Sequence, residues 1–319
     1  MDTLSRLLTL YPVDTVINIR CHFRAPWLLD LPASERGTAR YHLLAGGEAV
    51  LEGDGGSEIV LQAGDALVFP HGGAHRIRST GTGAPLPRQE RHASHGLEVQ
   101  ETGGEGSASD ILCGEFHFGA GSEALLAAMP DVLVVRTAGQ PAVAGLRSLI
   151  AILQEEAVAE RPGSSGVLQH LSAALLALML RAWMEQTSGA RGILSVLAEK
   201  RLQPALQGML AAPGKDWTLE SLAGACHLSR ATFARLFSAA AGVPPATMLT
   251  HIRMTQAAQL LSQRRLGAAA VGELVGYQSE AAFHRAFHRH HGVGPGQFRR
   301  AAGASKVRSD SATATQGST

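Results

Sequence analysis

One helical pattern occurs twice in the last third of the sequence, and this repeat is the feature that most limits the fold. Segment 217–237 holds a short helix pattern, a turn and a second helix pattern, and the same order returns at 270–287. When Ser229 is aligned with Ser279, three further pairs coincide: Phe233 with Phe283, Arg235 with Arg285, and Phe237 with Phe287. Two short helices joined by a tight turn are typical of the helix-turn-helix. The sequence therefore predicts two such units in an all-α region.

Apolar and basic side chains fall on opposite faces of each predicted second helix. Phe233 and Phe237 would face inward, which leaves Arg235 outward. A recognition helix of this kind fits the DNA major groove, where arginine contacts guanine or phosphate. Segment 246–261 reads as one continuous helix, and such a rigid spacer could set the two recognition helices in successive grooves on one side of the DNA.

Charge is distributed unevenly along the chain, although the formal net charge is only +1. Segment 213–303 carries ten basic side chains, four acidic side chains and six histidines, whereas segment 1–212 carries 16 basic and 22 acidic side chains. A basic segment joined to an acidic one favours a polyanionic partner for the basic part.

Several motifs in the C-terminal third carry a specific resemblance: segments 217–223, 229–233, 253–258, 275–277, 283–287 and 292–300. Together they resemble the DNA-binding domain of the AraC/XylS family of bacterial transcription regulators. The resemblance implies a double-stranded DNA operator, and RNA polymerase as a partner. It also places base or phosphate contacts on Arg230, Ala231, Ala234 and Arg235, and on Glu280, Ala281, Ala282, His284 and Arg285. Because Ala231 and Ala234 are small, the first helix is expected to read sequence mainly through Arg235 and an apolar contact with a thymine methyl group.

Short apolar runs separated by glycine-rich turns fill the first 120 residues, as at 49–51, 59–61 and 66–69. This pattern predicts a β-sandwich or barrel. Segment 64–75 resembles the second cupin signature, whereas the first signature is only partial, with His42 but without the usual pair of histidines. The expected fold class is thus an α+β multidomain chain. It would comprise a cupin-like β-barrel, a helical connector and an all-α domain with two helix-turn-helix units.

Four segments follow from these patterns. They are a sensor domain at 1–135 with a flexible loop at 81–107, a helical connector and dimerisation region at 136–199, a DNA-binding domain at 200–302, and a disordered tail at 303–319. The apolar stretch 168–183 is interrupted by His170, Ser172 and Arg181, so it is too short and broken for a membrane span. Its apolar face predicts a homodimer, and a cytoplasmic location is expected.

The sensor chemistry has two candidates, of which the first is cysteine oxidation. Cys21 lies among Arg20, His22 and Arg24, and cationic neighbours favour the reactive thiolate. Cys113 lies on a later predicted strand, and a second thiol can trap a sulfenic acid as a disulfide. The chain start, Cys21 and Cys113 also resemble the subgroup that includes the reactive-chlorine-responsive regulators. The sequence leaves open whether the two sulfurs meet, and Cys226 is interpreted as a core residue.

The second candidate is metal or small-ligand sensing. His42 and His75 are the best ligands, and His22, His71, His117 and Cys21 could converge with them. Imidazole with thiolate suits zinc or copper. A metal-dependent cupin enzyme is the alternative from another class. It is disfavoured because the attached domain is a DNA reader. The sequence shows no phosphate loop, nucleophile motif or paired-carboxylate spacing.

Overall fold

The computed structural model describes residues 1–53, 56–81, 83–93, 96–119, 121–159, 161–187, 189–263 and 265–301, so the tail expected at 303–319 lies outside the described residues. The strands are β1 (Val13–Arg24), β2 (Leu28–Leu31), β3 (Thr38–Gly46), β4 (Glu48–Glu52), β5 (Glu58–Gln62), β6 (Ala66–Phe69), β7 (His75–Arg78), β8 (Arg88–His92), β9 (Glu98–Thr102), β10 (Ala108–Phe118) and β11 (Leu133–Val135). The helices are α1 (Thr3–Leu10), α2 (Glu123–Leu126), α3 (Ala144–Ala159), α4 (Ser164–Ser172), α5 (Leu175–Gln186), α6 (Gly192–Ala198), α7 (Gln203–Ala211), α8 (Leu219–Ala225), α9 (Arg230–Ala241), α10 (Pro245–Ser262), α11 (Ala268–Leu274) and α12 (Glu280–His291).

The chain divides into two compact units that are not contiguous in sequence. Of the described residues, a β-rich unit comprises those within 13–118 and 129–190, and a helical unit comprises those within 1–12, 119–128 and 191–301. These units differ from the four consecutive segments expected from the sequence, because α1 and α2 belong with the C-terminal helices. The domain boundaries themselves stay a prediction.

The β-rich unit contains two sheets that share a hydrophobic core, together with the helices α3, α4 and α5. A seven-stranded sheet has the order β11-β6-β3-β10-β1-β9-β8, and a four-stranded sheet has the order β2-β7-β4-β5. Side chains from both sheets share the core, among them Phe23 and Leu67 from the larger sheet and Leu51 and Ile77 from the smaller one. The expected β-rich N-terminal fold and all-α C-terminal fold are confirmed.

Segment 81–107, which its composition predicts to be a flexible loop, contains β8 and β9 among its described residues. The two strands pair antiparallel, and β9 also pairs in parallel with β1. Every residue of β8 is exposed, and the strand has no apolar side chain. An edge strand of this kind is held by backbone pairing and leaves no hydrophobic alternation in the sequence.

The apolar stretch 168–183 forms parts of two helices, α4 and α5, instead of one. Leu175 and Leu180 are fully buried, and α5 packs on α3 and β11 inside the β-rich unit. Its apolar face is therefore largely buried within the chain itself, so this surface does not support the expected homodimer. The homodimer stays a prediction. Of the described segments, only Ser164–Gln186 has the length and composition to cross a bilayer, and core helices meet the same criteria.

The helical unit contains the two expected helix-turn-helix units, α8–α9 and α11–α12. The aromatic pairs on the inner faces of α9 and α12 are fully buried: Phe233 with Phe237, and Phe283 with Phe287. The long helix expected at 246–261 is α10, which contacts α9, α11 and α12. The N-terminal helix α1 packs on α7 and α10.

Serine side chains cap both recognition helices, as their matched positions in the repeat suggest. Ser229 accepts a hydrogen bond from the Thr232 amide, and Ser279 accepts one from the Ala282 amide. Because an N-cap hydroxyl satisfies an otherwise unpaired amide, Ser229→Ala and Ser279→Ala should each lower the free energy of unfolding by about 1 kcal/mol. Chemical denaturation would measure the loss, with the exposed Ser165→Ala as the control. Unchanged stability in both cap variants would contradict the assignment.

Candidate DNA interface and thiol site

The side chains expected to contact DNA lie on the outward faces of α9 and α12. Arg230, Ala231 and Arg235 are exposed on α9, with Ala234 half-buried. On α12, Ala282 is half-buried and the others are exposed: Glu280, Ala281, His284 and Arg285. Their roles in binding stay predictions, but each helix presents a row of side chains that could enter a major groove.

The two recognition helices differ in charge at their N-termini. The first turn of α9 contains no acidic residue, so its free amides and Arg230 suit a phosphate group. Glu280 lies in the first turn of α12, with its carboxylate 3.5 Å from His284 Nε2. A carboxylate repels phosphate but accepts a hydrogen bond from the cytosine amino group. The second helix therefore has the chemistry for a base contact at its N-terminus.

Three histidines of the basic segment form a cluster in which His290 and His291 lie on the last turn of α12 and His251 lies on α10. Burial, with the neighbouring histidines, lowers the pKa of His290 to about 4. Burial also lowers the pKa of His251 and of His291, and the ring of His290 lies against both of theirs. These groups are neutral near pH 7, so arginine supplies most of the positive charge that the helical unit offers to a polyanion.

In the β-rich unit, Cys21 on β1 and Cys113 on β10 lie side by side, which answers the question that the sequence leaves open. Cys21 pairs with Ile111, and Cys113 pairs with Ile19, so the cysteines are diagonal neighbours on one face of the sheet. Both side chains are buried, and their sulfur atoms are 4.0 Å apart.

A chain of two histidines leads away from Cys113. His42 pairs with Cys113 across β3 and β10, and its Nδ1 lies 3.1 Å from the sulfur. His42 Nε2 lies 2.8 Å from His75 Nε2, and His75 Nδ1 lies 2.9 Å from the carbonyl oxygen of Gly73. Since that carbonyl only accepts, Nδ1 of His75 donates, and in neutral His75 the Nε2 atom accepts from His42. His42 Nδ1 then either accepts from the Cys113 thiol or, in the imidazolium form, donates to its thiolate.

The thiolate is favoured on Cys113 and not on Cys21. A hydrogen bond from Cys21, followed by the charge and hydrogen bond of His42, lowers the pKa of Cys113 to about 5. The hydrogen bond to Cys113, together with burial, raises the pKa of Cys21 well above its usual value. The expectation of a Cys21 thiolate was wrong because its flanking cations, Arg20 and His22, bind Asp110 at 3.3 and 2.9 Å. They also alternate to the other face of the strand.

The histidines expected to converge on a metal do not do so. His22 contacts Asp110, His71 contacts the carbonyl oxygen of Met129, and His117 contacts Thr38 and Glu115. His42 directs one nitrogen to Cys113 and the other to His75, so these donors share no common centre. Among the described residues, no group of three or more His, Cys, Asp or Glu side chains could hold a metal ion. The zinc or copper site is therefore not supported by this donor geometry.

A small cavity of about 140 Å³ is lined by both cysteines. A water molecule occupies about 30 Å³ in the liquid, so the cavity has room for a molecule of two or three heavy atoms. Two cationic side chains that the sequence analysis missed line it, Arg40 on β3 and Arg88 on β8. No sequence signal points to Arg88, because β8 shows no alternation of apolar and polar side chains. The remaining lining is mixed, with Asn18, Ile19, Leu29, Leu31, His42, Gln100, Gly114 and Glu115 beside the cysteines.

Comparison with known proteins finds a family model that matches the N-terminal part of the chain and another that matches the C-terminal part. Residues 2–185 match the cupin family model, and residues 222–301 match the helix-turn-helix domain model. The chain is 33% identical to the RCS-specific HTH-type transcriptional activator RclR of Escherichia coli, over 94% of this chain and 97% of that protein. It is 28% identical to the HTH-type transcriptional regulator MtrA of Neisseria gonorrhoeae, over 95% and 99% of the respective chains. Among solved structures, the DNA-binding domain of AdpA in complex with a target DNA is 27% identical, with a TM-score of 0.31, over 33% of this chain and 96% of that domain.

Proposed function

The chain belongs to the AraC family of transcription regulators with an N-terminal cupin domain, and we propose that this cupin domain senses a reactive chlorine oxidant through Cys113 and Cys21. The protein is a DNA-binding regulator and not an enzyme. Activity in the cytoplasm, assembly as a homodimer and contact with RNA polymerase are further parts of the proposal.

The observation that carries the sensing proposal is the thiolate-favoured Cys113, hydrogen-bonded to His42 and 4.0 Å from a second thiol. Only a thiolate is a strong nucleophile, so Cys113 reacts first. The Escherichia coli relative is named as RCS-specific, that is, specific for reactive chlorine species. This name supports hypochlorous acid as the oxidant. The cavity supports it as well, since its volume of about 140 Å³ has room for a molecule of two heavy atoms.

The reaction proceeds in two steps. The Cys113 thiolate attacks the chlorine atom of hypochlorous acid, so an S–Cl bond forms, the Cl–O bond breaks and hydroxide leaves. The Cys21 thiol then attacks the Cys113 sulfur, so the S–S bond forms and chloride leaves. The thiol proton combines with the hydroxide to give water. Two thiols are oxidised to one disulfide, and the chlorine of hypochlorous acid is reduced to chloride.

Formation of this disulfide must move the two strands. The S–S bond is about 2.05 Å long, whereas the sulfur atoms begin 4.0 Å apart. Diagonal neighbours in an antiparallel pair have their α-carbons about 7–8 Å apart, beyond the usual disulfide range of about 4.4–6.8 Å. The bond therefore draws β1 and β10 out of their reduced positions, which gives oxidation a structural output.

The test uses the full-length protein and a DNA fragment selected for specific binding. We expect hypochlorous acid at equimolar amounts to join Cys21 to Cys113, as shown by peptide mass spectrometry, and to change the DNA affinity measured at one fixed salt concentration. DNA binding itself should weaken steeply with salt, because arginine displaces counterions from the phosphates. Cys226→Ser is the control, since Cys226 is buried in the helical unit. Absence of the bond, or an unchanged affinity once it has formed, would overturn the proposal.

The reactivity of Cys113 should depend on pH in a way that an ordinary thiol does not. Because the pKa of Cys113 is lowered to about 5, the group is almost fully ionised at pH 7. Its rate of oxidation by hydrogen peroxide should therefore stay nearly constant from pH 6.5 to 8 and fall below about pH 5 as the thiolate is protonated. Peptide mass spectrometry at timed intervals gives this rate. A rate that rises about tenfold per pH unit up to pH 8 would show an ordinary thiol.

A further inference from the structure

The two strands that carry the cysteines are paired along almost their whole length. The register of β1 and β10 runs from Arg24 opposite Ala108 to Val13 opposite Phe118, with one irregularity between Ile17 and Ile19. The two strands pack closely between the cysteine pair and the end where Val13 lies opposite Phe118. A side chain added at position 114, which is glycine, would overlap the carbonyl oxygen of Val16. A displacement of the cysteines is therefore not easily absorbed within this part of the sheet.

Both strands pass at this same end into the helical unit. Residues 1–12 precede β1, and residues 119–128 follow β10, and both segments belong to the helical unit. The strands that would be moved by a disulfide are thus covalently joined to two segments packed among the DNA-binding helices.

The first of these segments is fixed to α10 at the end of α1. Leu7 and Leu10 of α1 are buried, as is Tyr11, which caps the helix. Gln259 of α10 donates from Nε2 to the carbonyl oxygens of Thr9 at 3.2 Å and Leu10 at 2.5 Å. These carbonyls are at the C-terminus of α1, where backbone acceptors lack helical partners.

The second segment meets α10 one turn earlier. Thr255 donates from Oγ1 to the carbonyl oxygen of Gly121 at 3.3 Å, and this contact is buried. Gly121 has a φ of +92°, and a side chain there would touch Thr255 and Ala258. Because Thr255 and Gln259 are four residues apart, they lie on one face of α10. The same helix contacts both recognition helices, α9 and α12.

We propose that Gln259 and Thr255 are positioning residues that transmit oxidation of the cysteine pair to the recognition helices through α10. When the disulfide draws β1 against β10, the chain ends beyond Val13 and Phe118 change their separation. Gln259 and Thr255 hold those ends at adjacent turns of α10, so the change is passed to the helix that spaces the two helix-turn-helix units. This inference rests on the proposed oxidant sensing, and the coupling it describes is a difference in DNA affinity between two redox states.

The test compares wild-type protein with the double variant Gln259→Met/Thr255→Val. Both substitutions keep the side-chain size and remove the hydrogen bonds to Leu10 and Gly121. We expect the Cys21–Cys113 bond to form at the wild-type rate, while the ratio of DNA dissociation constants in the oxidised and reduced states falls to within twofold of one. Gln263→Met is the matched control, because Gln263 is exposed at the end of α10.

The outcomes separate this inference from the function on which it rests. If the wild type forms the disulfide and changes its affinity, and the double variant retains that change, the coupling role of α10 is overturned. Equal weakening of DNA binding in both redox states, with the ratio kept, shows a purely structural role and also overturns it. Failure of the wild type to form the disulfide refutes the sensing proposal instead. Should the double variant prove unstable in thermal unfolding, insertion of two glycines between Pro12 and Val13 should reduce the ratio in the same way.

Discussion

Replacing Cys113 with serine should abolish the response to hypochlorous acid, whereas replacing Cys21 should leave the first oxidation step intact. Cys113 has the pKa lowered to about 5, and its loss removes the thiolate that attacks the oxidant. The remaining Cys21 thiol is buried and has a raised pKa, so its thiolate fraction near pH 7 is very small. Cys21→Ser should still oxidise at Cys113 but form no internal disulfide, and its product should be a sulfenic acid or a bridge between molecules.

A reporter strain and peptide mass spectrometry together give the measurement for these two variants. Cys226→Ser should respond like the wild type, because Cys226 is a core residue of the helical unit with a pKa raised by burial. If Cys21→Ser and Cys113→Ser both respond like the wild type, the redox mechanism fails. Metal analysis of His42→Ala and His75→Ala protein would then be the next experiment.

The second large effect is expected at the DNA interface, in the double variant Arg235→Ala/Arg285→Ala. The two arginines occupy matching exposed positions on α9 and α12, and each should lose about 1–3 kcal/mol of specific binding if it contacts a base edge. Since separate sites add, the double variant should lose about 2–6 kcal/mol, which corresponds to roughly 30-fold to more than 10⁴-fold in affinity. Fluorescence anisotropy at one fixed salt concentration measures the change.

The salt dependence shows which kind of contact each arginine makes. Loss of a base contact relaxes the sequence preference, whereas loss of a phosphate contact weakens binding to all sequences and lowers the salt slope by about one. Arg181→Ala is the control, because Arg181 is exposed on α5 in the β-rich unit. Operator affinity that is unchanged in both single variants would remove Arg235 and Arg285 from the interface.

The helix-turn-helix units could be predicted from the sequence because their signals are local. The spacing of Phe233 with Phe237, repeated in Phe283 with Phe287, sets the buried face of each recognition helix within a single turn. Ser229 and Ser279 mark where those helices begin, since each cap bonds an amide only three residues further along the chain. Short apolar runs likewise placed β4, β5 and β6.

By itself, then, the sequence determined the β-rich and helical fold classes, the two recognition helices and the three cysteines available for chemistry. Only the tertiary structure decided that Cys21 and Cys113 meet, because 92 residues separate them and the register of β1 against β10 sets their distance. It also decided on which of them the thiolate is favoured. Their pKa values depend on neighbours from other strands, chiefly on each other and on His42 from β3, whereas the cations beside Cys21 in sequence turn to Asp110. The pKa of a side chain depends on the groups that surround it in space. Neighbours in sequence on a strand, in contrast, point to opposite faces of the sheet.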